Sequence, residues 1–293
     1  MKFISFVFLF GLLFASQVSA DLPEHFTGIG LFTWRETLRD PKQLATKAAE
    51  NNLSYVIVKS HDGVNWGTRL NGKWVPTLSK QVVQEFHQKN IRVYAYFTAR
   101  LNKNRKGILQ QVELARKALK LGADGLVADD LFLFGTSRTK AELYFSGLRK
   151  LVDSRPGTVL AFSAFHHLLR NFNQPWDIAM KYSTHFLSQS YWRLFRQRNQ
   201  PRMTPESSLA YTQANWDALR AYFPGYKCEL IPVGQSYGSV TASQMDRFLE
   251  RAFPYYRTVT FFRWDTMPTG GWDKIKAWGN KYAASRKIEN PSL

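Results

Sequence analysis

Apolar residues fall into eight short runs, rich in β-branched and aromatic side chains, that are separated by amphipathic stretches. The runs are continuously apolar instead of alternating, which is typical of strands buried on both faces. They cover residues 28–34, 55–59, 91–97, 125–129, 159–163, 185–189, 230–234 and 258–264. The pattern predicts eight strands in the interior of one domain.

The stretches between these runs carry apolar residues at helical spacing. One such face consists of Ile108, Val112, Ala115 and Leu119. Asp40-Pro41 and Thr204-Pro205 each place a capping residue before a proline at the first helical position. Eightfold alternation of strand and helix predicts parallel strands, and we expect them to close as a single α/β domain, a (β/α)8 TIM barrel.

An open doubly wound sheet is the alternative architecture. That fold normally carries a glycine-rich phosphate-binding turn after its first strand. Residues 33–36 of this chain read Thr-Trp-Arg-Glu at that place. The closed barrel is therefore favoured.

The first twenty residues have the pattern of a targeting segment. Lys2 precedes an apolar run over residues 3–14, and residues 18–20 give the small-x-small sequence at which signal peptides are cleaved. We predict a signal peptide over residues 1–20, cleavage near Ala20, and a barrel domain over residues 21–293 that is secreted to the periplasm or the extracellular space. A membrane anchor is the alternative, but the run is shorter than the roughly 20 residues of a span. No stable membrane span is expected elsewhere.

Charge and cysteine content narrow the choice of partners. The chain has 40 Lys and Arg against 22 Asp and Glu, a net charge of +18, and a single cysteine, Cys228. Such a surface attracts polyanions, and export favours an envelope polymer over nucleic acid. No internal disulfide is possible. We expect a monomer whose partner is a polysaccharide or a peptidoglycan-like glycan, anionic glycans included.

Polar and aromatic residues are concentrated at the carboxyl ends of the predicted strands, where TIM barrels have their active sites. Aromatic faces stack on sugar rings, while charged and amide groups bond to the hydroxyls. The candidates for substrate binding are Trp34, Lys59, Asp62, Tyr96, Asp130, Gln189, Tyr191, Trp192, Gln235, Tyr237, Arg263 and Trp264. Together they suit a polar, ring-shaped ligand.

Asp129 and Asp130 form the sharpest local feature. Two adjacent acids at a buried strand end are costly through desolvation and repulsion, which indicates a functional use. Since strand neighbours face opposite ways, only one of them points fully into the cleft. We predict that Asp129 is catalytic and that Asp130 orients a substrate hydroxyl or a loop. A structural role, as a helix cap or an arginine partner, is the alternative.

Glycoside hydrolysis needs a second carboxyl group across the scissile bond. Asp265 on the last strand and Glu36 after the first rank equally, since those strands are neighbours in a closed barrel. Asp62 ranks third. The predicted catalytic set is thus Asp129, Asp265 and Glu36.

Other chemistries find little support in the chain. His166 and His167 are adjacent, so a regular element cannot direct both to one metal ion. A nucleophile elbow, a phosphate loop and a dinucleotide fingerprint are absent from the sequence. We expect neither a metal nor another cofactor.

Residues 28–34, 55–63 and 93–97 resemble the first three strands of the family 25 muramidases, and residues 125–131 resemble the acidic fourth strand of several glycosidase families. This resemblance implies a glycoside-hydrolase-type barrel and a glycan ligand. The chain departs from the muramidases at Gly30, where they have an acid, and at Asp129-Asp130, where they have Asp-x-Glu. It also lacks the spaced acids ending in Glu that chitinases carry.

The leading hypothesis is a secreted glycoside hydrolase that acts on a polysaccharide of the cell envelope or extracellular matrix. A glycan-binding barrel without turnover is the alternative, because Gln189 and Gln235 stand where acids would be expected. A phosphodiester or lipid-headgroup enzyme would suit the positive charge, yet such sites use more histidines at the strand ends.

Overall fold

The computed structural model describes residues 25–129, 137–193 and 202–289. The predicted signal peptide and Asp130 lie outside the described residues. The strands are β1 Gly28–Thr33, β2 Leu53–Asp62, β3 Asn65–Trp66, β4 Thr68–Leu70, β5 Lys73–Val75, β6 Arg92–Thr98, β7 Gly125–Asp129, β8 Val159–Phe165, β9 His185–Gln189, β10 Glu229–Gln235 and β11 Thr258–Phe262. The helices are α1 Pro41–Glu50, α2 Lys80–His87, α3 Arg105–Lys120, α4 Arg138–Asp153, α5 Trp176–Tyr182, α6 Pro205–Tyr222, α7 Ala242–Ala252 and α8 Gly271–Glu289.

Eight of these strands form a closed ring of parallel neighbours. The order is β1-β2-β6-β7-β8-β9-β10-β11, and β1 pairs with both β2 and β11. The predicted (β/α)8 barrel is therefore confirmed, and the open sheet is excluded. Asp40 and Thr204 cap α1 and α6 through their side chains, as the sequence indicates.

The second barrel strand is longer than the sequence predicts, and it leads into a hairpin. β2 runs to Asp62 and contains a bulge between Lys59 and His61. Beyond it, Asn71 and Gly72 adopt positive φ angles of 47° and 81° between the antiparallel strands β4 and β5. These angles correspond to the tight turn that an Asn-Gly pair favours.

Side chains inside the barrel form a core separate from the outer one. The inner core comprises Phe26, Phe32, Tyr55, Ile57, Tyr94, Tyr96, Val127, Ala161, Leu187, Tyr191, Ile231 and Val233. Phe26 stacks on Tyr94 with 4.0 Å between ring centroids. The outer core lies between the strands and the helices. Burial on both faces explains the continuous apolar runs. None of the helices in the described part of the chain is long and apolar enough to cross a membrane.

The inner core leaves no room for a side chain at Gly30. A Cβ atom added there would lie 1.9 Å from Cε2 of Tyr55. Tyr55 is itself 1% exposed, and its hydroxyl lies 2.8 Å from Oγ1 of Thr258. The tyrosine ring thus occupies the space that an acidic side chain at position 30 would need. This explains why the muramidase acid has no counterpart here.

Replacing Gly30 by alanine should therefore destabilise the fold by about 2 kcal/mol, because an overpacked core must shift its backbone or rotamers. Urea unfolding of Gly30→Ala against the wild type measures the loss. Gly225→Ala is the control, since a Cβ atom at Gly225 meets open space. Equal unfolding midpoints for the two variants would contradict this account.

Two buried histidines, His61 and His166, and the half-buried His185 are held neutral by their surroundings. His61 is fully buried and stacks on Phe97 at a centroid distance of 4.4 Å. Burial, aided by the charge of Lys59, lowers the pKa of His61 from 6.5 to about 3. Burial likewise lowers the pKa of His166 to about 3 and that of His185 to about 4.

These shifts predict a loss of stability in mild acid. Between pH 6.5 and the folded pKa values, the unfolded chain binds protons that the folded chain excludes, so stability falls as pH falls. His61 alone should contribute a loss of about 2 kcal/mol between pH 7.5 and pH 5. Urea unfolding across that range measures it. The variant His61→Gln should show a shallower pH dependence by about one proton, and an unchanged slope would refute the assignment.

Candidate functional site

Inward side chains at the carboxyl ends of the barrel strands form the candidate site, which we term the barrel mouth. Strand alternation carries most of them there from the inner core beneath. The mouth comprises Trp34, Lys59, Asp62, Tyr96, Thr98, Asp129, Ser163, Gln189, Tyr191, Gln235, Tyr237, Phe262 and Arg263. Thr98 and Phe262 were not predicted, although the alternation along their strands could have revealed them.

Asp129 lies at the end of β7 and is 7% exposed. The side-chain amide of Gln189 donates a hydrogen bond to its Oδ1 atom at 2.9 Å. The same amide nitrogen lies 3.2 Å from Oγ of Ser163. Asp129 thus points across the barrel interior toward β8 and β9. The catalytic role of Asp129 stays a prediction.

Strand register places a second carboxyl group in line with Asp129. Asp62 pairs with Thr98 across β2 and β6, and Thr98 pairs with Asp129 across β6 and β7. At a strand spacing of about 4.8 Å, the Cα atoms of Asp62 and Asp129 are roughly 10 Å apart. The sequence ranked Asp62 behind Glu36 and Asp265, yet Asp62 shares this row.

The bulge in β2 is the reason that Asp62 faces inward. His61 packs outward on Phe97, and the next residue therefore takes the inward side with Thr98. In a regular strand without the bulge, alternation from Lys59 would turn His61 inward and Asp62 outward. Bulges commonly redirect side chains next to active sites in this way.

Asp62 is held between two cations. Its Oδ2 atom lies 3.4 Å from Nζ of Lys59, and its Oδ1 atom lies 3.2 Å from Nη2 of Arg100. Lys59 is buried, whereas Asp62 and Arg100 are half-buried. Ion pairs in partly dry surroundings fix side chains more firmly than exposed pairs do.

Trp34 is surrounded by positive charge. The charged groups of Arg35, Lys59 and Arg263 lie 4.8, 5.0 and 5.0 Å from the centroid of its ring. Its indole N–H donates to Oγ1 of Thr68. Three cations lie within 5.0 Å of the centroid of this one ring, so a sugar that stacks on Trp34 would compete with them for its faces.

The other side of the mouth is an aromatic wall. The rings of Tyr191 and Tyr237 are 5.4 Å apart, and the rings of Tyr237 and Phe262 are 5.8 Å apart. Tyr237 is half-buried, and burial raises the pKa of its hydroxyl well above 10. That hydroxyl therefore stays protonated and can donate a hydrogen bond to a ligand.

Gln235 braces the backbone at the mouth. Its Oε1 atom accepts a hydrogen bond from the backbone N–H of Arg193 at 2.9 Å, and its Nε2 atom donates to the carbonyl of Tyr237 at 2.9 Å. Tyr96 packs its ring edge-to-face on Phe32 beneath the mouth, at 5.1 Å. These two residues support the site from below and from the side.

The structure directs Trp192 and Trp264 away from the mouth. Trp192 is fully buried in the outer core, 5.3 Å from the ring of Phe248. Trp264 also belongs to the outer core and packs on Trp272 at 4.7 Å. Because Tyr191 faces inward, its chain neighbour must face outward. Trp264 instead lies in the 3-10 turn Trp264–Thr266 that follows β11, where strand alternation no longer applies. Both residues therefore lie outside the cleft in which the sequence placed them.

Glu36 and Asp265 lie at the rim. Glu36 is in a single turn of 3-10 helix after β1, and its Oε2 atom accepts a hydrogen bond from the backbone N–H of Trp34 at 2.7 Å. Asp265 is exposed and accepts one from Nε of Arg263 at 2.5 Å. Both acids line a groove beside the barrel, outside the row of Asp62 and Asp129.

Across the part of the chain that the structure describes, no group of three or more His, Cys, Asp and Glu residues could hold a metal ion. The rings of His166 and His167 are nearly perpendicular, at 89°. Burial lowers the pKa of both, to about 3 for His166 and about 4 for His167.

The comparisons with known proteins reveal structural matches. No protein-family model matches the sequence, and no curated protein matches it either. The structure is similar to a glycoside hydrolase family 18 N-acetylglucosaminidase from Paenibacillus barengoltzii, with a TM-score of 0.60 and 9% identity over 86% of this chain and 99% of that one.

Two further solved structures also match in fold at low sequence identity. The spore cortex-lytic enzyme SleL of Bacillus cereus gives a TM-score of 0.55 at 9% identity, covering 86% of this chain and 74% of that one. A fungal endo-β-N-acetylglucosaminidase of family 18 gives 0.56 at 12% identity, covering 93% and 100%. Likeness at such identities shows the fold, a barrel of the kind found in glycoside hydrolases. It does not single out the family 25 muramidases that the strand motifs resemble.

The ion pair of Lys59 and Asp62 should matter to stability. Lys59→Met should cost about 1–2 kcal/mol, because it leaves part of the charge of Asp62 uncompensated in a half-buried place. Urea unfolding measures the loss. Lys181→Met is the matched control, since Lys181 pairs with Glu142 on the exposed surface and should change little. Equal effects would show that the mouth pair is no stronger than a surface pair.

Proposed function

We propose that this protein is a glycoside hydrolase whose catalytic carboxyl groups are Asp129 and Asp62. The observation that carries the proposal is the inward row Asp62–Thr98–Asp129 at the mouth, which sets two carboxyl groups on one face of the barrel. The aromatic wall of Tyr191, Tyr237 and Phe262 supplies the stacking surface that a sugar ring requires.

The surroundings of the two acids suggest different roles. Hydrolysis requires one carboxyl group that donates a proton and one that is ionised. Asp62 contacts Lys59 and Arg100, which suits the ionised role. Asp129 is buried and bonded by the neutral amide of Gln189, which suits the proton donor. Glu36 and Asp265, at the rim, are the alternatives for the second carboxyl group.

The substrate is proposed to be an envelope or extracellular polysaccharide that contains N-acetylglucosamine. Support comes from the structural likeness to an N-acetylglucosaminidase and to a spore cortex-lytic enzyme. The net charge of +18 would favour anionic envelope polymers of this kind. Export by the proposed signal peptide, and action as a monomer, belong to the same proposal.

A glycan-binding protein without turnover is the second candidate. Gln189 and Gln235 occupy the ends of β9 and β10, and both are engaged in hydrogen bonds within the protein. A binding protein would need only the aromatic wall and the hydroxyl-bonding groups. Measurement of turnover separates the two candidates.

The decisive measurement is the release of reducing ends from chitin and purified peptidoglycan. Under the proposal, Asp129→Asn should lower the rate at least about 100-fold, because a proton donor contributes that much, while glycan binding persists. Asp217→Asn, at an exposed position on α6, is the matched control. If the wild type and Asp129→Asn bind the glycan equally and neither releases sugar, the hydrolase is refuted and the glycan-binding protein is supported.

Comparison of three further variants identifies the second carboxyl group. Asp62→Asn should reduce turnover as severely as Asp129→Asn, whereas Asp265→Asn and Glu36→Gln should retain most of it. A severe loss in either rim variant, with activity kept in Asp62→Asn, would transfer the role to that acid.

A further inference from the structure

A groove runs down the flank of the barrel from the rim of the mouth. It lies between α1 and the segment that links β11 to α8, and its volume is about 970 Å³. Its lining extends along α1 from Asp40 to Asn51, a distance of about 16 Å at 1.5 Å per residue. We call it the flank groove.

The upper end of the flank groove lies next to residues of the mouth. Arg35 lines the groove and also lies over the ring of Trp34, 4.8 Å from its centroid. Asp265 lines it too and bonds to Arg263, whose guanidinium lies over that same ring at 5.0 Å. A polymer chain that leaves the mouth between β1 and β11 would pass over this cluster to reach the groove.

The middle of the groove combines aromatic and polar groups. Trp264 and Trp272 pack edge-to-face at 4.7 Å, and Trp272 is half-buried. The ammonium group of Lys47 lies 4.4 Å from the ring centroid of Trp272. A sugar that replaces the ammonium group of Lys47 over this indole would stack an apolar face on the ring, while the displaced ammonium group could donate to the hydroxyl groups at the sugar's edge.

The charges of the groove distinguish it from the rest of the surface. Its cations are Arg35, Arg39 and Lys47, and its anions are Glu36, Asp40, Glu50 and Asp265. With three positive groups and four negative ones, the groove lining lacks the excess of positive charge that gives the whole chain its net charge of +18. The lining thus favours hydroxyl-rich, uncharged sugar units over a run of anionic groups.

We propose that the flank groove is a distal subsite that binds uncharged N-acetylglucosamine units of a polymer beyond those held in the mouth. This inference rests on the proposed glycan-acting function and deepens it, because it makes the preferred substrate a long chain. Lys47 then donates hydrogen bonds to the distal sugars, and Trp272 packs against them.

The test compares the binding of N-acetylglucosamine oligomers of two and six units by calorimetry. The wild type should bind the hexamer at least about tenfold more tightly than the dimer. Lys47→Met keeps the length of the side chain but removes the donor, so it should weaken hexamer binding about fivefold and leave dimer binding unchanged. The matched control is Lys42→Met, at an exposed position on the same helix that does not line the groove.

The possible outcomes separate this inference from the proposed function. If the wild type binds both oligomers equally, or if Lys47→Met weakens both alike, the distal subsite is refuted and the function at the mouth stands. If neither oligomer binds and no reducing ends appear from chitin or peptidoglycan, the proposed function fails and the subsite fails with it. A loss confined to the hexamer and to Lys47→Met supports the subsite.

Discussion

Closure of the barrel is the constraint on which every other feature depends. Once β1 pairs with β11 as well as β2, each strand has one face toward the axis and one toward the helices. Inward residues must then share a narrow space, which Tyr55 fills above Gly30. The same closure makes the inward residues at the strand ends converge, and so it creates the mouth.

The mouth combines two environments, one positively charged and one aromatic. On one side, Lys59, Arg100 and Arg263 surround Asp62 and Trp34 with positive charge. On the other, the rings of Tyr191, Tyr237 and Phe262 form an aromatic surface, with Arg263 at its edge 5.9 Å from the centroid of Phe262. Asp129 lies between β6 and β8 with a neutral amide as a partner. Acids in contrasting surroundings are what paired-carboxylate chemistry requires, because one group must hold a proton while the other is ionised.

The bulge in β2 shows how much one residue can decide. It keeps Lys59 inward, turns His61 outward onto Phe97, and returns Asp62 to the inward side. An uninterrupted strand would reverse the side on which later residues lie. The family 18 structures that match this fold share its architecture. Here the second acid of the inward row comes from β2.

The amino-acid pattern by itself determined the eight strands, their helices, the capped starts of α1 and α6, and the place of Asp129 at the end of a barrel strand. These features follow from burial and local backbone chemistry, which short segments encode. It ranked Asp62 behind Glu36 and Asp265 without knowledge of the strand register, and it placed Trp192 and Trp264 in the cleft, because a set of strand-end residues does not reveal which way each side chain faces. Only the tertiary structure decided those points, since a bulge, the inward position of Tyr191 and the register between β2, β6 and β7 arise from pairing between distant segments. The flank groove likewise exists only where α1 meets the start of α8, which no local pattern encodes.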